Sequence, residues 1–269
     1  MPVRSVLLVL LGVIVCGGAA AAPTEAERAA RWADLRHAIF GNRAVRDADG
    51  LVAIDTPSRA EDAAIVPVAI TVADWLAPQV RGLYLVIDDN PSPLAAHFAL
   101  GPRGDARRVE TRVRVDDYTY LHAVAETADG RLYAAARFIK AAGGCSAPAG
   151  RDPASARLRL GKMKLVLGEP KHPDAPLAAK LLISHPNSSG LQTDQLTHLY
   201  IPANFMQTLK LTYNGELVFQ LDSDIAISED PTVNFAFRPD RSGVLTADML
   251  DSHQRHFTHS WPVPATPQM

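Results

Sequence analysis

The sequence has 269 residues, of which 47% are hydrophobic and 21% are charged, and its formal net charge is −2. This composition is too apolar for a disordered chain and too mixed for a membrane transporter. The near-neutral charge argues against nucleic acid as the main partner, because no basic excess is available to neutralise phosphates. The 20 prolines and 17 glycines favour short strands and turns over a bundle of long helices.

Residues 1–22 have the pattern of a secretory signal peptide. One arginine precedes an apolar run at residues 6–15, and the alanines at 20–22 offer a cleavage site of the A-x-A kind. The run is too short to span a bilayer, and no later apolar stretch approaches 18 residues. We therefore expect an exported protein without a stable membrane span. Val15 disfavours lipidation of Cys16, since a lipoprotein needs a small residue at that position.

Residues 23–42 are predicted to form one amphipathic helix. Its apolar residues recur at three- and four-residue spacings: Trp32, Leu35, Ile39 and Phe40. Thr24 and Glu27 resemble a capping box, and Gly41 is suited to end the helix. We interpret Trp32 as a packing anchor.

Beyond the helix the apolar period changes to two, which predicts strands. In the first half these strands are residues 65–72, 82–87, 109–115, 118–126 and 132–139. The Asp129-Gly130 pair predicts a hairpin turn, and Pro67 indicates an edge position or a bulge. Residues 43–145 have the size of one immunoglobulin-like sandwich.

A small-residue stretch at 141–155 follows, and we assign residues 146–157 to a linker. The second half, residues 158–269, again has strands, predicted at 162–167, 179–184, 209–213, 217–221, 233–237 and 244–249. Asn214-Gly215 predicts a type I′ hairpin turn. The predicted fold class is mainly β: two immunoglobulin-like antiparallel β-sandwiches joined by a small-residue linker, with a short N-terminal helix.

Removal of residues 1–22 would leave Cys145 as the one cysteine of the chain. A single cysteine cannot form an intramolecular disulfide, so it is free, modified or paired with another chain. Gly143 and Gly144 precede it and Ser-Ala-Pro follows, a context without an apolar face to bury. We therefore expect an exposed, reactive thiol. A buried structural cysteine and a Cys145-linked homodimer remain as alternatives.

Several strings resemble the two subunits of the SoxYZ carrier of sulfur oxidation. The string IKAAGGCSAP at 139–148 resembles the carrier-cysteine segment of SoxY. Residues 59–70 and 87–98 resemble other parts of SoxY. The second half is similar to SoxZ in ISHPNSSG at 183–190 and in residues 201–219 and 227–237. The arrangement resembles fused SoxYZ-like carriers of the quinoprotein dehydrogenase-associated type.

The resemblance implies a non-catalytic periplasmic carrier without a cofactor. Cys145 would be the covalent attachment point for a sulfur-containing intermediate, and Gly143 and Gly144 would form the flexible carrier segment. The implied partners are sulfur-oxidation or quinoprotein dehydrogenase-linked periplasmic enzymes and cytochromes. SoxY normally ends shortly after its cysteine, whereas this chain continues into the second sandwich. The cysteine segment is therefore tethered at both ends.

The histidines do not predict a metal site. His253, His256 and His259 are three residues apart, and in a strand such steps alternate between faces. Structural metal sites need a converging set of ligands. His185 precedes a proline, and we interpret it as a turn or interface residue.

Two other patterns have structural interpretations. Asp88, Asp89 and Asn90 precede prolines and indicate a turn, and Tyr118 and Tyr120 indicate a core stripe on one strand face. No catalytic triad, phosphate loop or paired-carboxylate motif is evident, so the sequence does not indicate an autonomous enzyme. Two alternatives to the carrier stay open. One is an accessory or binding module for a periplasmic quinoprotein (PQQ-dependent) dehydrogenase without thiol chemistry, and the other is a purely structural interaction protein.

Overall fold

The computed structural model describes residues 22–148, 150, 153–169 and 175–264. The predicted signal peptide lies outside these residues except for its last position, so it stays a prediction. Within the described ranges, no helix has the length and apolar character that a bilayer crossing requires.

Helix α1, Glu25–Phe40, confirms the predicted N-terminal helix. The Thr24 side chain accepts a hydrogen bond from the backbone of Glu27, whose side chain in turn accepts one from the Thr24 backbone. Gly41 ends the helix with a φ of 63°. Phe40 packs with Val124 and Leu132, so α1 covers one outer face of a sheet.

The described residues contain fifteen strands, a second short helix and a 3-10 turn at Ala77–Gln79. Strands of the first half are β1 Val45–Asp47, β2 Val52–Asp55, β3 Val66–Val72, β4 Val80–Ile87, β5 Leu94–Leu100, β6 Gly104–Val113, β7 Thr119–Thr127 and β8 Leu132–Ile139. Helix α2, Pro153–Arg159, then precedes β9 Met163–Leu167, β10 Leu177–Ile183, β11 Met206–Tyr213, β12 Glu216–Ser223, β13 Thr232–Phe237, β14 Gly243–Asp251 and β15 His256–Val263.

Two sheets face each other across the core. The larger has the strand order β1-β8-β7-β4-β5-β12-β11-β14-β15, and the smaller has the order β2-β3-β6-β13-β10-β9. Each half of the chain contributes one sandwich, and both halves share one continuous cluster of buried apolar side chains. The predicted fold class is confirmed: the chain is mainly β, with two immunoglobulin-like sandwiches.

The two sandwiches are joined by more than the linker. Strands β5 and β12 pair antiparallel in the larger sheet, and β6 and β13 pair antiparallel in the smaller one. These pairs satisfy backbone groups that would otherwise lie on exposed sheet edges. Helix α2 also occupies part of the predicted linker, which is therefore not wholly irregular.

Local predictions around the strands have mixed outcomes. The Asp129-Gly130 and Asn214-Gly215 turns connect β7 to β8 and β11 to β12, with positive φ angles at Gly130, Asn214 and Gly215. The core-stripe interpretation of Tyr118 is wrong, because 42% of its surface is exposed. Tyr118 precedes β7, and the alternation of the strand begins only after it.

Candidate functional site

The cysteine segment, defined here as residues 141–148, follows β8 and runs beside the end of β6. The backbone N–H of Gly143 donates to the Asp116 carbonyl at 2.7 Å, and that of Gly144 donates to the Val115 carbonyl at 3.0 Å. Gly143 has a φ of 74°, in the left-handed region that glycine tolerates. A Cβ at position 144 would lie 2.1 Å from the Ala63 carbonyl oxygen. The second glycine therefore permits a backbone approach that no other residue allows.

Cys145 is a free cysteine with 0% of its surface exposed. Its backbone N–H donates to Asp116 Oδ1 at 3.2 Å. The expectation of an exposed thiol is wrong in this conformation. Gly144 and Cys145 are buried, whereas Gly143 and Ser146 are exposed. The segment needs no apolar face of its own, because the close backbone contact at Gly144 places Cys145 against the protein interior.

The second half of the chain covers the cysteine segment. Ser189 Oγ donates to the Cys145 carbonyl, and Gln192 Nε2 donates to the Ala147 carbonyl at 2.8 Å. The Ser189 backbone N–H donates to Gln192 Oε1 at 3.3 Å, so the two latch residues, Ser189 and Gln192, also hold each other. Both are buried. The candidate carrier cysteine is therefore fixed between the two halves.

The surroundings keep the thiol protonated. Burial raises the pKa of Cys145 to about 12, and the Asp116 carboxylate adds to this rise through its charge and a side-chain hydrogen bond. The positive charge of Arg114 acts in the opposite direction. Because the thiolate is the nucleophilic form, this closed conformation protects the sulfur from reaction rather than activating it.

The Asn90 side chain holds the backbone of residues 114–116, which contacts the cysteine segment. Its Nδ2 donates to the Arg114 carbonyl at 2.8 Å, and its Oδ1 accepts the Asp116 N–H at 2.9 Å. The predicted turn at 88–90 therefore positions the two charged residues that influence Cys145. This role was not predicted from the sequence.

Removing either latch side chain is expected to loosen the cysteine segment. Each of Ser189→Ala and Gln192→Ala deletes one hydrogen bond to the cysteine segment. A hydrogen bond of about 1 kcal/mol corresponds to roughly fivefold faster alkylation of Cys145. The measurement is the rate of iodoacetamide labelling of the native protein at pH 8. Ser260→Ala, which removes an exposed hydroxyl hydrogen-bonded to Thr246, is the matched control and should leave the rate unchanged. Unchanged rates in both latch variants would contradict the assignment.

The histidines do not converge. His253 Nε2 lies 3.1 Å from the Ala203 carbonyl oxygen, and His259 Nε2 lies 3.1 Å from that of Gly161. His185 is buried, with Nδ1 at 2.7 Å from Asn187 Oδ1, and burial lowers its pKa. Among the described residues, no group of three His, Cys, Asp or Glu side chains is arranged to hold a metal ion.

Four residues around Cys145 were missed by the sequence analysis: Arg114, Asp116, Ser189 and Gln192. In the first half, Val113 and Val115 alternate with Arg112 and Arg114, a pattern that predicts a solvent-facing Arg114, whereas the structure buries it. The latch residues carried no signal either, because serine and glutamine in a loop are ordinary surface residues.

Comparison with known protein families gives two matches in tandem. Residues 36–145 match SoxY, the sulfur oxidation protein SoxY, and residues 165–262 match SoxZ, the sulphur oxidation protein SoxZ. Together the matches cover well over half of the chain. No curated protein matches the chain.

Among solved structures, the sulfur carrier protein SoxY from Chlorobium limicola f thiosulfatophilum is similar with 28% sequence identity and a TM-score of 0.37. The similarity covers 43% of this chain and 96% of that chain. The two family matches occur in the order of the two sandwiches, and the first ends at Cys145. The chain is therefore a SoxYZ-like protein, in which a SoxY domain is followed by a SoxZ domain.

Proposed function

We propose that this chain is a periplasmic carrier that holds a sulfur-containing intermediate covalently on Cys145 and presents it to partner redox enzymes. The tandem SoxY and SoxZ domains support a role as a carrier in sulfur oxidation. The observation that carries the assignment to Cys145 is that the SoxY match ends at this free cysteine. Export would follow from the signal peptide predicted at residues 1–22.

A carrier cycle requires the cysteine segment to open. In the closed conformation Cys145 has no exposed surface and a protonated thiol, so no enzyme can reach it. Because the chain continues into the SoxZ domain, the segment must lift as a loop rather than swing as a free end. Opening breaks the hydrogen bonds from Ser189 and Gln192, while Gly143 and Gly144 supply the backbone freedom.

The proposed partners carry out the chemistry. The carrier itself is proposed to be non-catalytic, because burial and the Asp116 carboxylate both hold its thiol in the neutral, unreactive form. Sulfur-oxidation enzymes and cytochromes would load and unload Cys145. The finer assignment, to a carrier associated with quinoprotein dehydrogenases, is part of this proposal.

The burial of Cys145 also favours a second candidate function. A thiol with 0% exposure and a pKa near 12 is typical of a structural cysteine in an accessory or binding module that uses no thiol chemistry. The two candidates differ in one respect. Only the carrier loses its effect on the partner system when Cys145 is replaced.

Intact mass spectrometry of the protein purified from its own periplasm without reductant tests the carrier. We expect a reducible adduct in small sulfur- or oxygen-containing increments, absent from Cys145→Ser. The variant should keep the melting temperature of the wild type to within a few degrees, because serine is close to cysteine in size and its hydroxyl can donate to Asp116 as the thiol does. An adduct that persists in Cys145→Ser would contradict the proposal. An unmodified wild-type mass, with partner activity independent of Cys145, would establish the accessory module instead.

A further inference from the structure

Arg114 is a buried cation without a counter-ion among the described residues. It directly follows β6, only 1% of its surface is exposed, and no described carboxylate lies within ion-pair distance of its guanidinium. Nη2 donates to the Asn187 carbonyl at 3.0 Å, and Nε is buried without a hydrogen-bond partner. Arginine stays protonated in proteins, and the charges of Glu229 and Asp62 act on it without an ion pair or a hydrogen bond. The site therefore holds a buried charge without a contacting anion, and a free N–H donor.

The guanidinium of Arg114 lies close enough to Cys145 for an ionised sulfur to act on its charge. The two residues that follow Arg114 accept hydrogen bonds from the cysteine segment: the Val115 carbonyl from the Gly144 N–H, and Asp116 Oδ1 from the Cys145 N–H. Arg114 also donates to the Asn187 carbonyl in the second half of the chain. Asn187 is two positions before Ser189, whose hydroxyl donates to the Cys145 carbonyl. Arg114 is therefore enclosed by the same two segments that enclose the cysteine.

Each of the two side chains influences the ionisation of the other. The Arg114 charge lowers the pKa of the Cys145 thiol, opposing burial and Asp116. Burial lowers the pKa of Arg114, and an ionised Cys145 is the largest of the charges that oppose this. In the closed conformation the sulfur is neutral, so only the charges of Glu229 and Asp62 oppose the effect of burial, and no anion contacts the guanidinium until one is attached to the sulfur.

We propose that Arg114 binds the anionic end of the group carried on Cys145, a persulfide or a sulfur oxyanion, in the closed conformation. This inference rests on the proposed carrier function. The free Nε–H donates a charge-assisted hydrogen bond to the anion, which also neutralises the buried guanidinium. A neutral group of the same size leaves the charge unpaired. Arg114 thus selects anionic cargo and keeps the loaded segment closed.

Two small reagents place an anionic or a neutral group on the sulfur. The Cys145 thiolate attacks an inner sulfur of tetrathionate, the central S–S bond breaks, and thiosulfate leaves with the electron pair. Cys145 then carries –S–SO₃⁻, and its proton passes to solvent. With methyl methanethiosulfonate the thiolate attacks the methylthio sulfur, methanesulfinate leaves, and Cys145 carries –S–CH₃. Loading in dilute urea, which is then removed, overcomes the burial of the thiol.

The readout is the rate at which dithiothreitol releases each adduct, measured for the folded full chain and for the urea-unfolded chain. The unfolded rate is divided by the folded rate. This ratio is the protection factor. In the wild type we expect the anionic adduct to have a protection factor about tenfold larger than that of the neutral adduct. Arg114→Met should bring the two factors to the same value, and Arg114→Lys should retain part of the difference.

Arg112→Met is the matched control. Arg112 lies on β6 and also has a buried Nε without a partner, but its guanidinium donates to the Asp230 carbonyl and to Thr232. This variant should keep the tenfold difference. Equal protection factors for the two adducts in the wild type would overturn the proposal, and this comparison needs no variant to fold. A tenfold difference that survives in Arg114→Met would overturn it too.

Failure of this inference can be told apart from failure of the carrier function. Chemical loading does not require the enzymes of the cell, so the charge preference at Arg114 is measured even when no natural adduct is found. Conversely, a natural adduct on Cys145 with equal protection of both chemical adducts would retain the carrier and reject Arg114 as its binding residue.

Discussion

The Cys145 thiol of the native protein is expected to react with iodoacetamide at pH 8 about a thousandfold more slowly than in the urea-unfolded chain. A pKa of about 12, against the ordinary 9.0, lowers the thiolate fraction at this pH by about three orders of magnitude. The labelling rate is measured by intact mass, and Cys145→Ser supplies the background from any other thiol.

The pH dependence of the same reaction has a defined sign. Closure holds the thiol protonated, so the closed conformation is fully favoured below pH 9 and becomes less favourable as pH rises towards 12. The native rate should therefore increase about tenfold per pH unit between pH 8 and 10.5 without levelling off. In the unfolded chain the rate should level off above about pH 9. A native rate within tenfold of the unfolded one, with a plateau near pH 9, would show that the closed conformation does not protect the thiol.

Gly144→Ala is expected to raise the native labelling rate at pH 8 by about a hundredfold. The added Cβ would lie 2.1 Å from the Ala63 carbonyl oxygen and 2.5 Å from that of Val115. Both atoms belong to the backbone, so the cysteine segment must move, and overlap of this kind costs about 3 kcal/mol. The sandwiches do not depend on the segment, and the melting temperature should fall by only a few degrees.

Gly130→Ala is the control for the glycine substitution itself. Gly130 has a φ of 80° in the hairpin between β7 and β8, and a Cβ there would meet only Arg43 Nη2, at 3.9 Å. The strain of a positive φ is thus introduced away from the cysteine, and the labelling rate should stay within a factor of two. A Gly144→Ala protein that labels no faster than Gly130→Ala would show that the close contact is not what closes the segment.

Much of the fold could be predicted from local patterns. The capping box at Thr24 and the Asn214-Gly215 turn are determined by a few neighbouring residues, and the structure confirms both. Strand β5 was missed, because prolines precede it and Ala95 and Ala96 interrupt the alternation of its side chains. The pairing of β5 with β12 was missed for another reason: it joins segments more than a hundred residues apart, for which a single sequence carries no local signal.

The sequence indicates which residues the candidate site contains, but it does not indicate their conformation. The cysteine and its glycines form one short string, whereas Asp116 is 29 residues away from Cys145 and Ser189 is 44 residues away. Burial of Cys145 depends on these distant residues as well as on the close backbone contact at Gly144. Flanking glycines therefore indicate backbone freedom, but they do not distinguish a free arm from a segment that packs closely.

The paired strands β5–β12 and β6–β13 have a consequence for how the protein works at low abundance. When two separate chains form such an interface, dilution separates them by mass action. Here both sides belong to one polypeptide, and the effective concentration of one domain near the other is set by the chain at about the millimolar level. Every molecule thus brings its own latch residues to its own cysteine, in a one-to-one ratio that no difference in expression can disturb.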